Sequence, residues 1–234
     1  MNAILSIYRK EVASFFNSLI AYVVIGVFLI GVGLFFWVFE GNVLETREAS
    51  MQLLFEAGPY FFLFLVPAIT MRAFAEEIKT GTIEFLATKP ISDWQIIMGK
   101  YLAAIFLVLF SLLPTLIYYF SLSSLGNPPG NLDTGAIIGS YIGLFFLGSI
   151  YAAIGLFTSA LSENQIIAFI LGLFLCFFFF QAFDLFDGLT KVGILAHYES
   201  ISRGVIDTRD LLYFISFVAI ALVATQLVLE RRKK

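Results

Sequence analysis

The sequence predicts an all-α membrane protein with six transmembrane helices, and two observations support this. The chain of 234 residues is 60% hydrophobic and only 13% charged, with a mean hydropathy of +0.94, which is typical of a protein embedded in lipid. Its apolar residues also lie in long stretches free of Asp, Glu, Lys and Arg, as a helix crossing a bilayer core of about 30 Å requires. These stretches lack the ten-residue alternation of a β-barrel strand.

Two of the six predicted spans carry prolines that constrain their helices. The second contains Pro59 and Pro67 and has a short apolar part, so we expect its helix to continue beyond Met71 or to tilt less than its neighbours. The third contains Pro114, where we expect a kink that neighbouring helices can accommodate. The spans are placed at residues 19–39, 57–75, 97–122, 134–162, 164–184 and 211–229.

Residues 1–18 predict a helix that lies in the membrane interface. Arg9, Lys10 and Glu11 interrupt its apolar residues, and no small-residue cleavage pattern follows, so we expect a retained segment rather than a leader. An amphipathic helix of this kind buries one face at the boundary of lipid and water. The apolar positions at helical spacing are Ile4, Leu5, Tyr8, Val12, Phe15 and Phe16.

The distribution of the 14 Lys and Arg residues predicts the orientation. With six spans both termini lie on one side of the membrane, and ten basic residues fall on that side against four on the other. Basic residues accumulate in cytoplasmic loops. We therefore expect cytoplasmic termini, and with them a cytoplasmic loop between the second and third spans.

That loop, residues 72–98, predicts two helices around a corner. A helix continuing from the second span is weakened at Gly81, and Pro90 prevents it from continuing further. Ser92 and Gln95 then match the capping box that starts a new helix. Connections between neighbouring helices usually take about 2–8 residues, so the extra length indicates a docking surface. A solvated interfacial helix without a partner is the alternative interpretation.

On the opposite side, residues 185–210 are too polar to span the membrane and too apolar for a free loop. We expect a pair of short interfacial or re-entrant helices there, with Thr208 and Asp210 capping the last span.

No residues predict catalysis or metal binding. Cys176 lies alone in an apolar run, and His197 has no second His or Cys beside it. The chain lacks a phosphate-binding G-x-x-x-x-G-K-[ST] loop, so an ATP-driven function would need a separate ATPase subunit that holds ATP and Mg²⁺. A proton-driven carrier is disfavoured because the apolar stretches contain no ionisable residue.

The cytoplasmic loop resembles the signature of the type-2 ABC exporter permeases (the ABC-2 family, with the type V fold). The resemblance covers many positions at fixed offsets in the corresponding loop of a six-span chain. The matching residues are Glu76-Glu77, Gly81-Thr82, Glu84-Phe85-Leu86, Thr88, Pro90-Ile91-Ser92, Trp94 and Gly99-Lys100.

The resemblance implies that residues 72–98 form a coupling or gate helix that docks on an ABC ATPase subunit. The implied docking residues are Glu76, Glu77, Lys79, Thr82, Glu84 and Phe85, with Glu84 as the main anchor. The implied hinge and cap residues are Gly81, Pro90 and Ser92. The helix within residues 1–18 corresponds to the interfacial connecting helix of the family.

The implied partners follow from the same resemblance. We expect a second permease copy, or a related permease, as a dimer partner in the bacterial inner membrane, in contact with lipid and not with nucleic acid. Residues 197–214, HYESISRGVIDTRDLLYF, resemble the gliding-motility permease within the nitrous-oxide-reductase maturation branch, which implies an auxiliary subunit with a periplasmic domain. The alternative is a membrane scaffold of a motility or secretion machine that transports nothing.

Overall fold

A computed structural model describes residues 3–46, 48–82, 91–185 and 192–232, and within these ranges the chain is helical and contains no strand. Short 3₁₀ turns at Leu113–Thr115 and Ala182–Leu185 interrupt or extend the helices. The helices in chain order are α1 (Ala3–Phe16), α2 (Leu19–Trp37), α3 (Val43–Thr46), α4 (Gln52–Thr70), α5 (Ala75–Lys79), α6 (Asp93–Leu112), α7 (Leu116–Leu125), α8 (Thr134–Leu161), α9 (Gln165–Gln181), α10 (Ile194–Ser202) and α11 (Thr208–Arg232).

The prolines act as the sequence predicts. Pro114 lies in the 3₁₀ turn that joins α6 to α7, because proline removes a helical hydrogen bond and the turn tightens around it. Helix α4 continues through Pro59 and Pro67, and after a short turn it leads into α5. Together they make up the 28-residue helical stretch Gln52–Lys79, which reaches beyond Met71 and ends in the charged residues of α5.

Within the described ranges, four helical stretches are long and apolar enough to cross a membrane: Gln52–Lys79, Asp93–Leu125, Thr134–Leu161 and Thr208–Arg232. The pair Ala3–Phe16 and Ala21–Trp37, bent by 69°, makes a fifth if it is counted as one span. Helix α9 is apolar but has 17 residues, about 26 Å at 1.5 Å per residue. The α-helix ends at Gln181, before it reaches the length of a full span, because the chain continues there as a 3₁₀ turn. Six full spans therefore stay a prediction.

Helix α8 is the centre of the bundle. It packs against α4, α6, α9, α10 and α11, and 72% of its most apolar segment is buried, against 22% for the peripheral α11. Small residues allow this close packing. A side chain at Gly155 would overlap Thr70 on α4, and one at Gly148 would lie 2.6 Å from Val108 on α6.

Two ends of the bundle can be distinguished by their contacts. At one end, Lys10 of α1 pairs with Glu77 of α5, and Arg232 at the end of α11 pairs with Glu163 between α8 and α9, both at 3.3 Å. At the other end, α10 packs on α8, with Ile201 fully buried. Of the short helices expected in residues 185–210, α10 lies within the described residues.

The start of the last helix differs from the prediction. Asp207, not Thr208, caps α11, because its carboxylate accepts a hydrogen bond from the Arg209 backbone N–H at 2.9 Å. Asp210 instead is buried, and its carboxylate accepts a hydrogen bond from His197 Nδ1 at 2.6 Å. The His197 ring also stacks on Tyr213 with ring centroids 3.9 Å apart. This histidine is thus a satisfied structural residue that joins α10 to α11.

Candidate functional site

The corner between α4 and α5 is held by one serine of the central helix. Ser159 Oγ accepts hydrogen bonds from the backbone N–H groups of Phe74 at 2.9 Å and Ala75 at 3.1 Å. The same hydroxyl donates to the Met71 carbonyl at 2.9 Å. These groups lie where the helical ladder is interrupted, so a buried hydroxyl replaces hydrogen bonds that water cannot supply. The corner is therefore fixed to α8.

A buried lysine at the start of the third span joins three helices at this corner. Lys100 on α6 is 3% exposed, and its ammonium donates to Glu11 Oε1 on α1 at 3.0 Å and to Glu77 Oε1 on α5 at 2.9 Å. It also donates to the carbonyl of Ala73 at 2.7 Å. An ammonium has three N–H donors, so all of them are used. We call Lys100, Glu11, Glu77 and Lys10 the corner cluster.

Lys10 closes the corner cluster from the solvent side. Its amine lies 3.3 Å from Glu77 Oε1 and 3.6 Å from Glu11 Oε1, and its side chain is 63% exposed. Partial burial lowers the pKa of Lys10, but the charges of Glu77 and Glu11 outweigh this, so that its pKa lies above the ordinary value. Two carboxylates are thus bracketed by one buried and one exposed cation.

Apolar contacts support the same arrangement. The ring of Phe74 lies 5.2 Å from the Lys100 ammonium in a cation–π geometry. Helix α1 packs closely along α6, since a Cβ at Gly99 would lie only 2.7 Å from Ile7 Cγ2. Tyr8 of α1 meets Phe106 of α6 edge to face at 6.1 Å. Helix α1 is therefore part of the folded bundle.

A polar cavity of about 450 Å³ lies between α1 and the corner. Arg72 lines it, donating to Ser18 Oγ at 3.1 Å with its guanidinium 5.3 Å from the ring centroid of Phe15. Glu77 also faces this cavity, and its Oε2 has no hydrogen-bond partner within the part of the chain that the structure describes. The cavity opens beside the exposed face of α5.

The predicted docking residues do not all face outward. Glu76 and Lys79 are exposed on α5, and Thr82 is exposed after it, with its hydroxyl 3.0 Å from that of Thr80. Glu77, which the sequence analysis placed with them, turns inward to Lys100, and its side chain is only 14% exposed. Neighbouring residues on a helix point about 100° apart, so Glu76 and Glu77 serve different surfaces.

The predicted hinge residues are partly described. Gly81 has φ of 71°, a left-handed conformation that glycine adopts without strain, and it follows the end of α5. Ser92 forms a capping box: its hydroxyl accepts from the Gln95 backbone N–H at 3.3 Å, and the Gln95 side chain accepts from the Ser92 N–H at 3.1 Å. Glu84, Phe85 and Pro90 lie outside the described residues.

Four residues of this site were not predicted as site residues from the sequence: Lys10, Glu11, Lys100 and Ser159. The position of Lys100 could have been recognised from the sequence. A lone cation at the start of an apolar run needs an anionic partner if that part of the helix is buried against other helices. Ser159 could not have been recognised in this way, since small polar residues are common in buried membrane helices. No group of His, Cys, Asp and Glu in the described ranges has the geometry of a metal site.

Comparison with known families identifies the bundle that carries this corner. The family model described as ABC-2 family transporter protein matches residues 44–197, about two thirds of the chain. The matched range includes the corner, Lys100 and the central helix with Ser159. No curated protein matches the chain. The chain thus belongs to the ABC-2 transporter family and is a multi-pass membrane permease subunit of that family.

Proposed function

We propose that this permease subunit couples ATP hydrolysis in a separate ABC ATPase subunit to export, or to mechanical work, across the bacterial inner membrane. Residues 72–98 and both termini lie in the cytoplasm in this proposal. Ten of the 14 Lys and Arg residues fall on that side, as cytoplasmic loops require. ATP and Mg²⁺ belong to the ATPase subunit, and this chain carries out no catalysis of its own.

The corner cluster is the observation that supports coupling most directly. Through Lys100, the short helix α5 is bonded to the start of α6 and to the interfacial helix α1. Through Ser159, the same corner is bonded to α8. A force applied to α5 therefore acts on three membrane-associated helices at once, because each contact is a buried polar bond that is costly to break.

The docking surface for the ATPase comprises Glu76, Lys79 and Thr82 together with Glu84 and Phe85. Charged side chains at an interface steer association and fix its register when the partner presents the opposite charge. Glu84 is the proposed anchor, and Arg or Lys on the ATPase is its expected partner. Glu77 has a different role, since it holds α5 from within.

We further propose a second permease copy or a related permease as a dimer partner, and a role in gliding motility or associated secretion. Exposed apolar faces on α2, α9 and α11 provide surfaces for lipid and for that partner, with Val27, Phe174 and Ile220 among the exposed residues. The likeness of residues 197–214 to the gliding-motility permease supports this role. It also implies a periplasmic-domain subunit.

Co-purification with an ATPase encoded by a neighbouring gene tests the docking surface. Glu84→Arg reverses the charge of the anchor and should abolish complex formation and ATPase stimulation. Glu230→Arg is the matched control, because it reverses an exposed carboxylate on the same side of the membrane, at the end of α11. Unchanged complex formation by Glu84→Arg would refute the docking role. A stable complex whose ATPase activity is independent of the permease would favour the scaffold alternative.

A further inference from the structure

A cleft of about 1100 Å³ opens at the end of the bundle opposite the corner cluster. Its walls come from the segment before α4 and the first turns of that helix, from the start of α8, and from α10. Helix α4 runs from Gln52 in this cleft to Thr70 near the corner, so the cleft is external in the proposed orientation. Small-molecule pockets measure about 300–1,000 Å³, so this cleft has room for several side chains.

The walls of the cleft are fixed by buried polar contacts. The Tyr198 hydroxyl on α10 donates to the Phe55 carbonyl on α4 at 2.6 Å, and the Ser140 hydroxyl on α8 donates to the Ser202 carbonyl at 3.2 Å. A Cβ at Gly139 would lie 2.5 Å from the Ile201 carbonyl oxygen. The backbones of α8 and α10 therefore approach each other closely at this glycine. The cleft is therefore preformed and does not depend on a ligand to assemble it.

The floor of the cleft is aromatic. The ring of Phe180 contacts Tyr60 edge to face at 5.7 Å, and both residues line the cleft. On its other side Phe180 meets the fully buried Tyr151 at 6.3 Å. The Tyr151 hydroxyl has no hydrogen-bond partner among the described residues. Phe180 and Tyr151 are buried and support Tyr60 from behind, so Tyr60, which is 48% exposed, presents the aromatic surface of the cleft. An exposed aromatic face of this kind accepts the aliphatic stem and cationic head of Lys or Arg.

The rim of the cleft is acidic. Glu56, Glu199 and Asp133 are exposed at its edge, against one cation, Arg203, and none of the four forms an ion pair with another described residue. Glu56 and Glu199 line the same cleft as Tyr198, so both carboxylates face the space where a ligand would lie. The Glu56 carboxylate accepts a hydrogen bond from the Gln52 side chain at 2.6 Å.

The whole external side of the protein carries an excess of negative charge, as the rim of the cleft does. In the proposed orientation, ten of the 17 Asp and Glu residues lie outside, but only four of the 14 Lys and Arg residues do. Such an excess attracts positively charged partners and raises their rate of association.

We infer that this cleft is a docking site for a basic, extended peptide segment of an extracytoplasmic protein. Lys or Arg side chains of the segment lie on the exposed Tyr60 ring, with their charges at Glu56 and Glu199. The size of the cleft favours a peptide over a small organic cation, which would leave much of it empty. The inference rests on the proposed orientation but not on the ATPase.

Fluorescence anisotropy with the purified permease in phosphatidylcholine nanodiscs tests this inference. The probe is a fluorescein-labelled acetyl-Lys-Leu-Arg-Leu-Lys peptide, compared with the same peptide carrying Gln in place of Lys and Arg, and with empty nanodiscs. We expect the basic peptide to bind at least tenfold more tightly than the Gln peptide, because two charge-assisted contacts are lost in the latter. Spermidine, a small cation, should compete only weakly.

Two double variants separate the cleft from the general charge of this face. Glu56→Gln with Glu199→Gln should weaken binding of the basic peptide at least tenfold. Glu40→Gln with Glu45→Gln removes the same amount of charge from the same side of the membrane, but at positions outside the cleft. This second pair should change the affinity for the basic peptide less than twofold. Equal loss in both double variants, equal affinity for the Gln peptide, no binding by the wild type, or full competition by spermidine would each overturn the inference. The ATPase co-purification is unaffected by any of these outcomes.

Discussion

Replacement of Lys100 by methionine tests the corner cluster most directly. Methionine keeps most of the length and volume of the lysine stem, so the packing against Phe74 is largely retained. The ammonium is lost, and with it the bonds to Glu11, Glu77 and the Ala73 carbonyl. Two carboxylates that are 12% and 14% exposed would then face each other without the buried cation.

The expected cost follows from burial and from the remaining charge. Removal of one partner from a buried ion pair costs about 3–5 kcal/mol, because an uncompensated charge stays behind. Lys10 lies 3.3 Å from Glu77 and 3.6 Å from Glu11 and offsets part of that charge from the solvent side. We therefore expect a loss near the lower limit, about 3 kcal/mol. On the scale of domains of 150–250 residues, this lowers the unfolding midpoint by roughly 6–12 °C.

Thermal unfolding in a neutral detergent, followed by size-exclusion chromatography, measures this midpoint. Lys79→Met is the matched control for stability, since Lys79 is an exposed cation on the same short helix and surface changes usually stay within about 0.5 kcal/mol. Adding Glu11→Gln and Glu77→Gln to Lys100→Met should recover part of the lost stability, because the two carboxylates that repel each other are then neutral amides. A Lys100→Met midpoint equal to that of Lys79→Met would refute our account of the corner.

Three further substitutions test other contacts. Ser159→Ala removes a buried hydroxyl that serves three backbone groups, so we expect a loss of about 1–3 kcal/mol in the same assay and faster hydrogen exchange at the corner. Ser124→Ala, at an exposed serine whose hydroxyl also bonds to a backbone carbonyl, is the control. Gly99→Ala places a methyl group against α1 and should cost about 1–3 kcal/mol, whereas Gly26→Ala, with open space around it, should cost nothing; equal midpoints would contradict the packing of α1 on α6. Tyr198→Phe leaves the Phe55 carbonyl unpaired and should cost about 1–2 kcal/mol; no change would mean that this bond does not hold α10.

Local signals predicted much of the fold. The Ser92 capping box involves residues three apart, and the 3₁₀ turn at Pro114 follows from one residue. The continuation of the second span beyond Met71 followed from its short apolar part, and the turn into α5 supplies it. Each of these features depends on neighbouring residues and on the thickness of a bilayer.

The corner cluster could not be predicted in the same way, because its partners are distant in the chain. Lys100 is 89 residues from Glu11, and Ser159 is 85 residues from Phe74. Periodicity shows which residues of one helix share a face, but not which helix lies opposite. Glu77 was assigned to the cytosolic surface for that reason, and its inward direction depends on the position of α6.

The fixation of α8 at both ends has a mechanical consequence. Ser159 is hydrogen-bonded to the corner at one end of α8, and Gly139 packs closely against α10 at the other end. Both ends of the helix are therefore held in fixed positions. With 28 residues the helix is about 42 Å long, and a tilt of about 5° at one end would displace the other by roughly 4 Å. In the proposed function, helix α8 would therefore transmit a displacement at the corner to the cleft at the opposite end of the bundle.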